Sequence, residues 1–393
     1  MRDFTRDRLT WIAYVMVAWF AYLQAAPGLV IPHLRDELDL SYSTAGLHVT
    51  AFAAGSLVAG VISPRLERAL GRRTLLWSSA ATLSAAALAL TAGRTPAVTV
   101  GSVLVMGIGG GLLLATVQAT LADHHGERRA VALAEANVAA SVAYVLLIGL
   151  LTLTASLHIG WRIAVLASLA VPALAWWSNR RLTIDAAPLP DSAQGSLPGV
   201  FWIAAAMLFC TTAAEWCISA WGATYVQEAA GVPADSAVLL MAGFYGGVLA
   251  GRLLGSRLAR RRDPAQLLGY ALAVAAAGFA VLWPAREPVQ ALIGLSMLGI
   301  GLGNLFPMAV SVLVALVPEQ AVLASGRAVT ISSFAVVLLP FTVGALADVT
   351  SLKAALVVVP GILALAAVSL MLVRRARARL AGATVSGTGA RRR

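Results

Sequence analysis

Residues 199–227 read GVFWIAAAMLFCTTAAEWCISAWGATYVQ, and in that run the only charged side chain is Glu215. A helix of this length rises about 43 Å at about 1.5 Å per residue, enough to cross a hydrocarbon core of about 30 Å. In lipid every backbone N–H and C=O must find a partner within the protein, so a spanning segment is a helix or a strand of a closed barrel. A barrel strand would alternate apolar and polar residues over about ten positions. This run does not alternate and is therefore predicted to be a transmembrane helix.

Working outward, eleven more apolar runs follow the same rule. The predicted spans are 9–31, 44–64, 74–92, 97–121, 131–157, 162–179, 199–227, 236–258, 267–284, 288–317, 328–348 and 353–373. The chain of 393 residues is 59% hydrophobic and 12% charged, about half the charge of a soluble protein. Arg2, Arg6 and Arg8 ahead of the first span resemble the start of a signal peptide, but the apolar run is too long and eleven spans follow, so it is read as a retained anchor.

The run also has a counterpart. Trp202, Glu215, Gly246, Gly251 and Lys353 answer Trp11, Gln24, Gly55, Gly60 and Arg162 at a spacing of 191. Gly299-Ile300-Gly301-Leu302-Gly303 answers the glycine run Gly107 to Gly111 one residue later. Two similar membrane halves describe an internal repeat. The expected organisation is an N-terminal six-helix bundle over 1–179, a cytoplasmic linker over 180–198, a C-terminal six-helix bundle over 199–375 and a disordered cytoplasmic tail over 376–393.

The net charge of +11 does not point to nucleic acid. With the N-terminus inside, all of the 29 basic residues except Arg35, Arg94, Arg162, Arg286 and Lys353 fall on the cytoplasmic side. That is the positive-inside pattern, and it places both termini in the cytoplasm. The glycine runs lack the preceding strand of a dinucleotide fingerprint and are read as close helix packing, with a bend at Pro307. Cys210 and Cys217 share one face of one helix and are read as free buried thiols. His124 and His125 beside Glu127 are read as solvated loop, with no metal and no cofactor expected.

Local motifs strengthen one likeness. Leu38-Asp39-Leu40-Ser41 leading through Ala45-Gly46 to Gly60, the loop ending Gly71-Arg72-Arg73, Gly160-Trp161-Arg162, and Pro340 with Gly344-Ala345-Leu346-Ala347-Asp348 resemble matching segments of the major facilitator superfamily. With the six-plus-six layout, the resemblance covers essentially the whole chain. It implies an all-α membrane fold of twelve transmembrane helices in two pseudo-symmetric six-helix bundles. Ala214-Glu215-Trp216 to Trp221 and Tyr225, with Gly251-Arg252-Leu253-Leu254, is similar to the fucose-permease-like branch. Two features depart from the family. The Asp usual in the second loop is absent, with Glu67-Arg68 nearest, and the fifth span lacks the Gly-Pro-x-x-Gly-Gly pattern of drug antiporters.

The resemblance implies a secondary active transporter of the bacterial inner membrane, working by alternating access and not an enzyme. Its partners would be a small-molecule substrate, protons and membrane lipids, with no nucleic acid and the chain monomeric. The alternatives are a multidrug or metabolite efflux antiporter and a non-transporting membrane sensor.

Among the acidic residues, Glu215 and Glu135 alone fall inside predicted spans away from the edges. A carboxylate at bilayer depth is costly unless protonated, paired or hydrated. Glu215 lies near the midplane on a stripe with Leu208, Thr211, Ser219 and Gly222, and is the candidate proton carrier against a structural alternative. No other ionisable group is placed at that depth by the sequence. Glu135 is the second candidate proton-coupling residue, and is as readable as a gate ion pair with Arg128, Arg129 or Arg327 as it is as a substrate ligand. Candidate substrate ligands are Gln24, Tyr22, Asn137, Tyr144, Trp216, Ser219, Trp221, Tyr245 and Asn304; for the aromatics, packing is the competing role. Arg68, Gly71, Arg72, Arg73 and Arg252 are the candidate gating residues.

Overall fold

Helix ends are set by capping as much as by hydropathy, and for that reason the observed helices outrun the predicted spans. The computed structural model describes residues 5–180, 182, 184, 195–258 and 261–390. The first half holds α1 (Arg8–Leu38), α2 (Tyr42–Leu70), α3 (Arg72–Ala92), α4 (Pro96–His125), α5 (Arg129–Ser156), α6 (Trp161–Ala167) and α7 (Ala170–Asn179). The second holds α8 (Gly199–Ala230), α9 (Ala234–Leu258), α10 (Pro264–Leu282), α11 (Pro288–Leu302), α12 (Leu305–Val314), α13 (Ala321–Val349), α14 (Leu352–Ala355) and α15 (Val358–Ala390). Asp7 caps α1 by accepting from Thr10 N, Ser41 caps α2 from Thr44 N, and Asp263 caps α10 ahead of Pro264. Gly71 closes α2 at φ 76°, a backbone conformation that side chains disfavour.

Among the described residues, eleven stretches are long and apolar enough to cross a membrane. One of them, Pro96–Ser156, has 61 residues and contains both α4 and α5, joined by the 3-10 turn Gly126–Arg128. At about 1.5 Å per residue it would be about three bilayer cores long, so it is two spans. The total is twelve, as the sequence predicts. Three of the twelve are broken, as α6–α7, α11–α12 and α14–α15. The second break follows from Pro307, which has no N–H to give the Gly303 carbonyl one turn back.

In each half the second span packs on the fourth and the fourth on the third, giving α2–α4–α3 and α9–α11–α10. Across the halves α2 lies against α13, α5 against α9 and α1 against α8. The glycine runs pack as expected. A Cβ on Gly107 would fall on the Phe52 carbonyl and one on Gly55 on the Leu104 carbonyl. Gly299 and Gly247 meet the carbonyls of Phe244 and Ser296 in the same way. Each of these pairs differs by 192, as do Gly109 against Leu83 and Gly301 against Ala275.

This register corrects the match of Gly55 with Gly246 at 191. Gly246 and Gly60 have nothing within 4 Å of an added Cβ, whereas Gly251 lies against Ile300. The position packed like Gly251 is Ala59, which touches Gly111. Adjacent small residues offer two letter matches, and only the one facing its neighbour helix is structural.

The expected linker over 180–198 falls mostly outside the described residues. The last helix carries its backbone to Ala390, through most of the stretch whose composition reads as a disordered tail. The run from Arg374 to Ala381 consists of Arg, Ala and one Leu, all good helix formers, which extends the helix past its apolar part. Cys210 and Cys217 are free and buried, as expected.

Candidate functional site

Two helices from each half meet around Glu215. Its α8 neighbours Leu208, Thr211, Ala214 and Ile218 are buried, while Glu215, Trp216 and Ser219 turn toward a cavity of about 30 Å³. That volume is about one water molecule. Gln24 and Ala25 of α1, Tyr144 of α5, and Phe244, Tyr245 and Val248 of α9 complete the wall. Tyr144 donates to Gln24 Oε1 at 3.2 Å, and the hydroxyls of Ser219 and Tyr245 are 2.7 Å apart. The rings of Tyr144 and Tyr245 face each other across the halves at 5.0 Å.

One turn below Val248 on α9, Arg252 brings Nη2 to 3.8 Å from Glu215 Oε1; the two side chains are 25% and 20% exposed. Arg252 Nη1 donates to Ser141 Oγ on α5 at 2.7 Å, and Nε donates to the Gly303 carbonyl at 3.4 Å. That carbonyl is the one that Pro307 leaves without its helical partner. Arg252, a candidate gating residue, thus lies beside Glu215. The reading of Glu215 as the lone ionisable group at its depth is corrected: a long guanidinium on a neighbouring helix reaches across the depth difference that the sequence implies.

Of the candidate ligands, Gln24, Tyr144, Trp216, Ser219 and Tyr245 come together around Glu215. Four others are engaged elsewhere. Tyr22 donates to the Ala164 carbonyl at 2.8 Å, inside the first half. Trp221 donates to the Pro340 carbonyl at 2.9 Å, and Asn304 Nδ2 to the Gly251 carbonyl. Asn137 is exposed and donates to Leu133 O at 3.0 Å. In each case a backbone carbonyl captures the polar atom, a local fate that residue type alone does not reveal. Ser141 was missed; it lies one turn before Tyr144 on the same helix, so helical periodicity from Tyr144 would have found it.

Glu135 sits apart from this group, near the face that carries the chain termini. Arg6 binds it with Nη2 at 2.6 Å and Nε at 2.8 Å, and Tyr14 donates at 3.0 Å. The expected partners Arg128, Arg129 and Arg327 are replaced by Arg6, because the N-terminal segment lies across the start of α5. On the same face Asp7 accepts from Thr10 and pairs with His124 at 2.7 Å. Partial burial pushes the Asp7 carboxyl up, but these hydrogen bonds outweigh it and hold the group below the usual carboxylate range.

Arg72 is buried between Glu67, at 2.7 Å, and Asp123 of α4, at 2.6 Å. Glu67 thus partners the arginine in a loop that lacks the family's Asp. Arg68 donates to the Pro64 carbonyl at 3.2 Å, and Arg73 to the Arg180 carbonyl.

Polar ties between the halves gather at the opposite face. Asp348 at the end of α13 accepts from Tyr42 N at 2.7 Å and Ser43 N at 2.9 Å, capping α2 from the other half. Glu228 takes Arg35 at 2.9 Å and the Tyr42 hydroxyl at 2.6 Å; His33 meets Asp235 at 2.8 Å. The two halves are closed against each other there.

With this geometry in place, three comparisons bear on the chain. A family model described as Major Facilitator Superfamily matches residues 10–295 and, in an overlapping placement, 204–389. A search of the curated proteins finds no match. Among solved structures, a bacterial homologue of the human lysosomal transporter Spinster, in an inward-facing and occupied conformation, superposes with TM-score 0.76 at 15% identity, covering 95% of this chain and 98% of that one. Its inward-facing, unoccupied form gives 0.75 at 14%, covering 94% and 97%. A mutant of the nucleoside transporter NupG gives 0.75 at 12%, covering 93% and 100%. At these identities the likeness is one of fold.

Proposed function

We propose that this chain, which belongs to the major facilitator superfamily, is a proton-coupled secondary transporter of the bacterial inner membrane that moves a small molecule by alternating access. Membership makes it a membrane transporter. The observation that carries it is the Glu215–Arg252 pair, 3.8 Å apart where α1, α5, α8 and α9 meet. A carboxylate inside a bundle needs a reason, and a pair short of hydrogen-bond contact leaves Glu215 free to exchange its partner for a proton.

On the loop charge distribution both termini lie in the cytoplasm. The face tied by Asp348, Glu228 and Asp235 is then the outer one, and it is the face on which these polar contacts join the two halves. Protonation of Glu215 accompanies substrate loading, and the two halves rock about the central site to exchange faces. The remote Glu135, locked to Arg6 and Tyr14, is assigned to bracing α1 against α5 and not to coupling.

The test is transport in reconstituted liposomes with an imposed pH gradient. The wild-type protein accumulates substrate against its gradient, and Glu215→Gln exchanges substrate without concentrating it. Accumulation by Glu215→Gln would refute the assignment.

A further inference from the structure

Arg252 is anchored independently of Glu215. Nε is held by the Gly303 carbonyl, and Nη1 by Ser141 Oγ, whose own hydrogen goes to the Asn137 carbonyl at 2.9 Å. Both acceptors are neutral. They fix the guanidinium in place and leave its charge to be balanced by Glu215, which lies beyond hydrogen-bond reach at 3.8 Å. Among the described residues Glu215 accepts no hydrogen bond. The charged or titratable groups facing it are Arg252 and Tyr245 from α9 and Tyr144 from α5; α1 presents the neutral Gln24.

This arrangement has a consequence for charge. When Glu215 takes a proton, the site keeps one fixed, partly exposed cation in a low-dielectric setting. A cationic substrate would then meet repulsion, and with Glu215 ionised it would compete against an arginine already in place. An anion meets an unbalanced guanidinium whose Nη2 is free to donate. The Gln24 amide nitrogen is a further donor, since its oxygen already takes Tyr144. Trp216, Phe244 and Val248 offer an apolar wall beside these groups.

Resting on the proton-coupled reading above, we propose that the substrate is a small organic anion whose carboxylate, or a like oxyanion head, replaces Glu215 as the partner of Arg252 while Glu215 carries the proton. Proton and anion load together, and the pair adds no net charge to the site. Arg252 is thereby a specificity residue for anions, and Ser141 and the Gly303 carbonyl are its positioning groups.

The experiment measures thermal stabilisation of the full-length protein in detergent by acetate and benzoate, with tetraethylammonium as the cationic probe, at pH 5.5 and 7.5. Stabilisation reports binding to the folded state. At least one of the two anions stabilises the wild-type protein, with a half-saturating concentration at least ten-fold lower at pH 5.5. Arg252→Gln weakens that binding at least ten-fold, Arg252→Lys retains part of it, and Glu215→Gln binds equally at both pH values. Stabilisation by tetraethylammonium alone, no stabilisation by either anion, or unchanged binding in Arg252→Gln each overturns the proposal. Proton flux in liposomes separates it from the coupling reading. Arg252-dependent anion binding without anion-driven proton uptake keeps the anion site and removes coupling. Proton uptake driven by tetraethylammonium keeps coupling and removes the anion site.

Discussion

The two halves of this molecule share a packing scheme and differ in their charges. Gly55 and Gly107 clasp α2 to α4 as Gly247 and Gly299 clasp α9 to α11, residue for residue at a spacing of 192. The centre does not repeat. Glu215 of the second half and Gln24 of the first both line the cavity, the one a carboxylic acid and the other a neutral amide, and the residue 192 before Arg252 is Gly60. Close packing depends on backbone approach, which both copies need in order to fold, so it is duplicated. An ion pair at mid-depth is costly and one suffices, so the second half alone supplies charge while the first supplies neutral Gln24, Ser141 and Tyr144.

The hardest way to break the packing symmetry is to fill it. Gly107→Val and Gly299→Val each drive a side chain into a backbone carbonyl of the facing helix. Each should cost about 3 kcal/mol or prevent folding, and the two should be alike; melting in detergent would show it. Unequal losses would mean that the halves are not equivalent at their tightest contacts.

The charge asymmetry is sharpened by comparing Gln24→Ala with Glu215→Gln in transport. The first removes one neutral hydrogen-bonding group and should raise the half-saturating substrate concentration about five-fold. The second should abolish concentration of substrate altogether. Equal phenotypes would argue that the site is symmetric in function after all.

A third comparison sets the two faces against each other. Asp348→Asn weakens the charge that caps α2 from the opposite half, and should shift the balance of the two faces by about 1 kcal/mol toward opening at the Asp348 end. Spin-label distances between the ends of α1 and α13 would report a larger open fraction. An unchanged distribution would place closure of that face on the Arg35–Glu228 and His33–Asp235 contacts instead.

The smallest effect tests the register itself. Gly60→Ala and Gly246→Ala point into open space and should be neutral or stabilising by up to about 1 kcal/mol, since alanine favours helix. Gly247→Ala should destabilise. If Gly246→Ala destabilised as Gly247→Ala does, the 191 spacing would be the structural one.

Much of the architecture was legible because its cause is local. An apolar run long enough to cross lipid must be helical, whatever surrounds it. The glycine runs were legible as packing surfaces, though Gly246 and Gly247 could not be told apart without the facing helix. Glu215 stood out because its cost is set by depth, which sequence position measures. Five of the candidate ligands converge with Glu215 on one cavity, but Tyr22, Trp221, Asn137 and Asn304 went to nearby carbonyls. Their rotation about the helix axis, and not their residue type, decided this.

The sequence by itself determined twelve membrane spans, a duplicated half, and one carboxylate at the midplane, since each follows from hydropathy and position along the chain. Only the tertiary structure decided the charge that faces that carboxylate. Pro307 frees the Gly303 carbonyl at the C-terminal cap of α11, Ser141 offers a hydroxyl on α5, and together they hold a guanidinium that belongs to α9. Three helices from distant parts of the chain meet there. A hydropathy profile carries no information about which of them face one another, because that depends on helix rotation, depth and the reach of a long side chain.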